Sequence, residues 1–152
     1  MTPHDRLEKM GLTLPPPSKP AGAYVPAVRT GNLIYVAGQL PFVDGKLKYT
    51  GKIGADLNVE KGYEAARICA LNALSIIHAE VGSLDRVLQM VRLAGFVGSA
   101  SGFTDQPQVV NGASELLAEV FEERGRHARI ALGVTELPFG AAVELEVLAE
   151  VG

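Results

Sequence analysis

The sequence predicts an α+β domain: one mixed β-sheet with two helices packed on one of its faces. Three observations lead there. Two segments, 58–82 and 105–125, carry apolar residues at helical spacing, with strand-like runs on both sides of each. The last run, Ala142 to Val151, alternates apolar and mostly acidic residues, the period of a strand buried on one face. The chain of 152 residues, 47% hydrophobic and 20% charged, is sized and composed for one packed domain.

Taken in order, residues 4–12 suggest a short helix with Leu7 and Met10 on one side. Pro15-Pro16-Pro17-Ser18-Lys19-Pro20 then stops regular structure, because proline lacks the donor N–H and fixes φ. Residues 1–20 are therefore expected to be a surface arm and 21–152 the domain proper. Tyr24 to Val28 reads as a strand. The Gly31-Asn32 turn leads to the β-rich run Leu33 to Gly38, and Asp44-Gly45 leads to a short strand near Lys46 to Tyr49.

Asn58 is a suitable N-cap, and Glu60 in the first turn suits the helix dipole. Tyr63, Ala66, Ala70, Ala73, Leu74, Ile77 and Val81 form the buried stripe, and Gly82 is a C-terminal stop. Val87 to Val97 is apolar on both alternating faces, as a strand inside a sheet would be. After a loop of small residues, Asp105 is expected to cap a second helix, with Pro107 in its first turn and Gly125 closing it. Arg129 to Val134 and Ala142 to Val151 are the last two strands. Helices on one face leave the other face open, and an open apolar face is ordinarily covered by another subunit. An oligomer is expected.

Charge and composition narrow the function. A net charge of −3 offers no basic field for a phosphate backbone, so no nucleic-acid partner is expected. The four tyrosines are scattered and make no stacking platform for bases. Gly51 to Gly54 lacks the Lys-Ser/Thr that a phosphate loop needs. Three His and one Cys form no metal-ligand spacing, and no metal or cofactor is expected. The charged start has no apolar signal core and no run is long enough to cross a bilayer, so no membrane partner and a cytoplasmic location are expected. Cys69 reads as an inert core residue. His78 reads as structural, His127 as a strand-entry surface residue, and Phe103 as core or cleft wall.

The closing strands carry the chemistry. Val143, Leu145, Val147, Ala149 and Val151 share one face of the last strand, with Glu144, Glu146 and Glu150 on the other. If this strand and the preceding one form an antiparallel hairpin, Arg129 and Glu144 lie nearly opposite, with Cβ atoms roughly 5 Å apart on the less apolar face. A guanidinium matches a substrate carboxylate bidentately, and a carboxylate left partly free activates water. By spacing alone, such a pair is most often just a surface ion pair worth about 0–1 kcal/mol.

Motifs at both ends of the domain weight the catalytic reading. Pro20-Ala21-Gly22-Ala23-Tyr24-Val25-Pro26 followed by Gly31-Asn32 and Ala37-Gly38-Gln39-Leu40-Pro41 resembles the opening signature of the RidA/YjgF family. Ala128-Arg129-Ile130-Ala131, Leu137-Pro138 and Val143-Glu144-Leu145-Glu146-Val147 resemble its closing signature. The resemblance spans about residues 20–151. It implies a chorismate-mutase-like fold, a homotrimer with clefts between subunits, and hydrolytic deamination of small 2-imino acids to 2-oxo acids and ammonia. By the same resemblance Arg129 binds the substrate carboxylate and Glu144 positions the attacking water. Tyr24, Gly38 and Asn111 line the cleft, as does Ala131, which stands where many members have cysteine. Ala37 stands where many have serine, the loop Gly98 to Phe103 is less charged, and the N-terminal arm is longer. These departures mark a divergent branch. The rival expectations are a non-catalytic regulator that binds a small carboxylate in the same cleft and, against the acidic charge, a ribonuclease or translation inhibitor.

Overall fold

The computed structural model describes residues 1–152. Its first helix, α1 (Pro3–Lys9), opens on a reciprocal cap: the Asp5 N–H donates to Thr2 Oγ1 at 3.1 Å and the Thr2 N–H to the Asp5 carboxylate at 2.8 Å. Leu7 is fully inside the core, and Arg6 donates to the Val120 carbonyl at 2.8 Å. The expected surface arm is thus docked at its helical end. One buried leucine contributes about 1.5–3 kcal/mol, enough to hold a short segment down.

β1 (Ala27–Thr30) starts three residues later than Tyr24, because Pro26 has no N–H to give a ladder. It pairs antiparallel with β2 (Leu33–Gln39). β3 (Phe42–Val43) and β4 (Lys46–Leu47) form a small separate hairpin. Asp44 and Gly45 both have positive φ, 52° and 77°, the twist that matches a two-residue hairpin turn. α2 (Val59–Val81) starts where expected: Asn58 accepts the Lys61 N–H at 2.9 Å, and Gly82 ends it in the left-handed conformation.

β5 (Val87–Gly98) lies inside the sheet, as its two-faced apolarity predicts. α3 (Gln106–Phe121) follows, with Pro107 in its first turn. Asp105 occupies the cap position, but its side chain makes no capping bond. The helix stops at Phe121, before Gly125, and a tighter turn runs to that glycine. β6 (Ala128–Val134) and β7 (Val143–Val151) complete a five-stranded sheet in the order β1-β2-β7-β5-β6.

That order corrects the expected hairpin. β6 runs parallel to β5, as the crossover through α3 requires, and β7 pairs antiparallel with both β2 and β5. Strands lie about 4.8 Å apart, so the segment 135–142 has ample reach to pass over β5. β6 and β7 therefore never touch as partners. The alternation of β7 holds: Val143, Leu145, Val147, Ala149 and Val151 are buried on the face covered by α2. On β6 the faces are reversed from expectation. Arg129 pairs with Leu93, which pairs with Val147, so Arg129 and Ala131 face the helices. Ile130 and Leu132 are 39% and 42% exposed on the open face, which Tyr35 and Val28 share at the other edge of the sheet.

No helix is long and apolar enough to cross a membrane.

Candidate functional site

Two groups of functional side chains result, and they sit apart. The first is built on β6 and α3. Arg129 enters β6 on its helix-facing side and reaches the first turns of α3. There Nη1 donates to Ser114 Oγ and Nη2 to the Pro107 carbonyl, each at 3.1 Å. No acidic side chain pairs with it. Each terminal nitrogen keeps one N–H free and Nε keeps its own, so a planar fork remains available to a carboxylate. Arg129 lines an open depression of about 460 Å³ with Asn111, Ser114, Ala118, Gly125, Arg126 and His127. The structure thus brings Arg129 and Asn111 together within one chain. Ala131 is not part of this depression; it packs against the core.

The second group is built on β2 and β7. The ladder between these strands slips between Val36 and Gln39, and Gly38 sits in that bulge. Its lack of a side chain makes room for Glu144: a Cβ at position 38 would lie 2.3 Å from Glu144 Oε2. Glu144 is half-buried on the open face and has no ion-pair or hydrogen-bond partner in the chain. Burial first, and the charge of Glu146 second, push its carboxyl above the ordinary value. Glu146 in turn lies 3.6 Å from Arg92. Tyr24 is 53% exposed and shares a narrow slot with Ala37, Gly38 and Gln39. It also borders a shallow depression of about 380 Å³ on the open face, with Tyr35, Arg92, Glu146 and Leu148.

Tyr24, Gly38 and Glu144 therefore form one edge, and Arg129 with Asn111 another. Glu144 pairs with Phe96 on β5, and β5 separates it from β6. The two groups also point to opposite faces of the sheet. The cross-strand Arg129–Glu144 contact expected from spacing does not exist within a chain.

Ser114 carried no signal in the sequence, being one small polar residue on a helix. Its spacing of three from Asn111 was the available hint, since such residues share a helix face. Cys69 is wholly buried, its thiol pushed well up by burial and then by Glu144, and it donates weakly to the Val143 carbonyl. Nowhere do three His, Cys, Asp or Glu side chains converge as a metal donor set would require. His78 packs edge-on against His4 on the far side of α2.

A five-stranded mixed sheet with two long helices on one face, a bulged glycine beside a half-buried glutamate on the central strand, and an arginine on the edge strand β6 define a chorismate-mutase-like α+β domain. The chain matches the YjgF/chorismate-mutase-like family over residues 4–151 and belongs to it. It is 50% identical over 145 residues to Protein TCP17 of Trypanosoma cruzi, covering 95% of this chain and 91% of that protein. It is similar to the crystal structure of Atu1372, an Agrobacterium tumefaciens protein of unknown function, with a TM-score of 0.93 and 42% identity over 99% of this chain and 92% of that one. RidA from the Antarctic bacterium Psychrobacter superposes with a TM-score of 0.62 at 25% identity, covering 91% of this chain and 96% of that one. The RidA/YjgF assignment made from the two motifs holds.

Proposed function

We propose that this protein hydrolyses small 2-imino acids to 2-oxo acids and ammonia, in clefts formed between the subunits of a homotrimer. The observation that carries this reading is the separation of two unneutralised, complementary groups. Arg129 presents a fork of donors with no acid in its own chain. Glu144 presents a half-buried carboxylate with no cation in its own chain. Opposite faces of one sheet cannot bring them together. A neighbouring copy laid on the open face, where Val28, Tyr35, Ile130 and Leu132 are exposed, can.

In such a cleft the substrate carboxylate binds the Arg129 fork, each charge-assisted bond contributing about 1.5–3 kcal/mol. The imine carbon then lies near the Glu144 edge. Glu144 takes a proton from water as the oxygen bonds to that carbon, and the C=N electron pair moves to nitrogen. Protonated Glu144 passes that proton to the nitrogen, giving a neutral carbinolamine; it then takes the hydroxyl proton as the C=O bond forms and the C–N bond breaks, and hands it to the departing nitrogen, which leaves as ammonia. A carboxyl raised above its usual value is the better base for this step. The C=N bond is already polarised, so orientation and charge placement supply the catalysis. The ribonuclease reading has little support, because the chain is acidic and neither group offers a basic, aromatic surface.

The test is ammonia release from 2-imino acids generated in situ by an amino-acid oxidase, together with light scattering. Accelerated release and a mass of three chains are expected. A stable monomer would sink the inter-subunit cleft. A trimer that binds 2-oxo acids but releases no ammonia would make the protein a carboxylate-binding regulator.

A further inference from the structure

We propose that Ser114 and His127 are positioning residues: a one-way hydrogen-bond chain, Arg129 to Ser114 to His127 to the Gly125 carbonyl, that clamps the guanidinium before any ligand arrives. This rests on the reading of Arg129 as the anion anchor.

The direction of the chain follows from what each group can do. His127 Nδ1 lies 2.7 Å from the Gly125 carbonyl oxygen, which only accepts, so Nδ1 carries the hydrogen. In the neutral ring Nε2 is then an acceptor, 2.9 Å from Ser114 Oγ. Arg129 Nη1 only donates and lies 3.1 Å from the same Oγ. The hydroxyl accepts from arginine and has one hydrogen left to give, and Nε2 receives it. Every polar atom in the chain has a partner, and no reversal of a single bond leaves all of them satisfied. The Pro107 carbonyl holds Nη2 from the other side, so the guanidinium plane is fixed at two points.

Local structure supplies the pieces. Ser114 lies one helical turn from Asn111 on α3, so both border the depression. His127 sits two residues before Arg129 and therefore on the same side of the strand line. Gly125 is buried at the end of the turn after α3, which fixes the terminal acceptor. An arginine already held in place loses less freedom when a carboxylate binds. The saving for one long side chain corresponds to roughly 2- to 10-fold in affinity.

Nitrogen-15 NMR of the ligand-free, full-length protein is the first arm of the test. His127 is expected as the Nδ1–H tautomer, and the Arg129 guanidinium is expected to rotate slowly about Nε–Cζ. Ser114→Ala should release that rotation, whereas Ser114→Thr, which keeps a hydroxyl, should retain it. If Ser114→Ala does not fold, Ser114→Cys, which hydrogen-bonds weakly, replaces it. The second arm is calorimetry with 2-oxobutanoate. Ser114→Ala and His127→Phe should weaken binding by roughly tenfold, and Ser114→Thr and His127→Gln should recover most of it. In an Arg129→Ala background, Ser114→Ala should add nothing. Fast Arg129 rotation in the parent, the Nε2–H tautomer, or equal losses for the Ala and Thr variants would overturn the clamp. A parent that binds no 2-oxo acid, but whose slow rotation is released by Ser114→Ala, supports the clamp and overturns the deaminase reading instead.

Discussion

The Arg129 edge and the Glu144 edge are solved in opposite ways. At the Arg129 edge the charge is partly covered and the guanidinium is held at two points, by the Ser114 hydroxyl and the Pro107 carbonyl. At the Glu144 edge the charge is half-buried, its nearest partner is a space left by Gly38, and a second carboxylate repels it. In the proposed reaction the first arrangement suits a group that recognises a carboxylate. In the same reaction the second suits a group that takes a proton, since a carboxylate with satisfied partners is a poor base. Neither edge is a complete site, and the sheet between them keeps them apart.

The largest expected effect comes from removing the recognising group. Arg129→Ala should weaken 2-oxo acid binding by ~10²-fold or more, the loss of two charge-assisted bonds. Lys should restore little, because a point charge cannot fork. Calorimetry that finds parent-like binding in Arg129→Ala would dissolve the contrast between the edges. Glu144→Gln attacks the reacting edge alone. Turnover should fall by ~10²-fold while binding stays near the parent's, and a parent-like rate would show that Glu144 is only a structural charge.

Gly38→Ala tests whether the glycine exists for the glutamate. The added Cβ would sit 2.3 Å from Glu144 Oε2, so the carboxylate must move. A displacement on the order of 1 Å should cost roughly 10- to 100-fold in turnover, with Arg129-dependent binding unchanged. Loss of both in a protein that still folds would mean that the two edges are coupled through the sheet.

The smallest effect is electrostatic. Glu146 adds to the burial that holds Glu144 protonated to higher pH. Glu146→Gln should therefore move the acid limb of the turnover profile to lower pH. The linkage has a definite sign. With its folded value raised, the native state binds more protons than the unfolded chain, so Glu144 costs stability as pH rises through that interval. Glu144→Gln should accordingly melt slightly higher at neutral pH, with the gain vanishing in acid. A lower melting point at neutral pH would contradict the unpaired state of this carboxylate.

Much of this molecule was legible along the chain. Helix α2 could be placed almost to the residue, because Asn58 and Gly82 are local signals acting on their own backbone. The inward row of β7 was legible because pleating makes side chains alternate whatever the strand pairs with. Arg129, Glu144, Gly38 and Tyr24 were named through two short motifs and Asn111 through the family resemblance those motifs carry, which marks positions but not distances. What the sequence could not decide was which strand lies beside which. The reading of β6 and β7 as a hairpin used the shortest connection, and it failed because a parallel crossover through α3 puts β6 on the far side of β5. That one choice also reversed the faces of β6, moved Arg129 under the helices, and brought it to Ser114 and His127. Capping, alternation and turn chemistry are fixed by neighbours a few residues away. Strand order is fixed by burying the whole helix-facing surface at once, a sum over the entire chain, and so the geometry of the site was decided only in the tertiary structure.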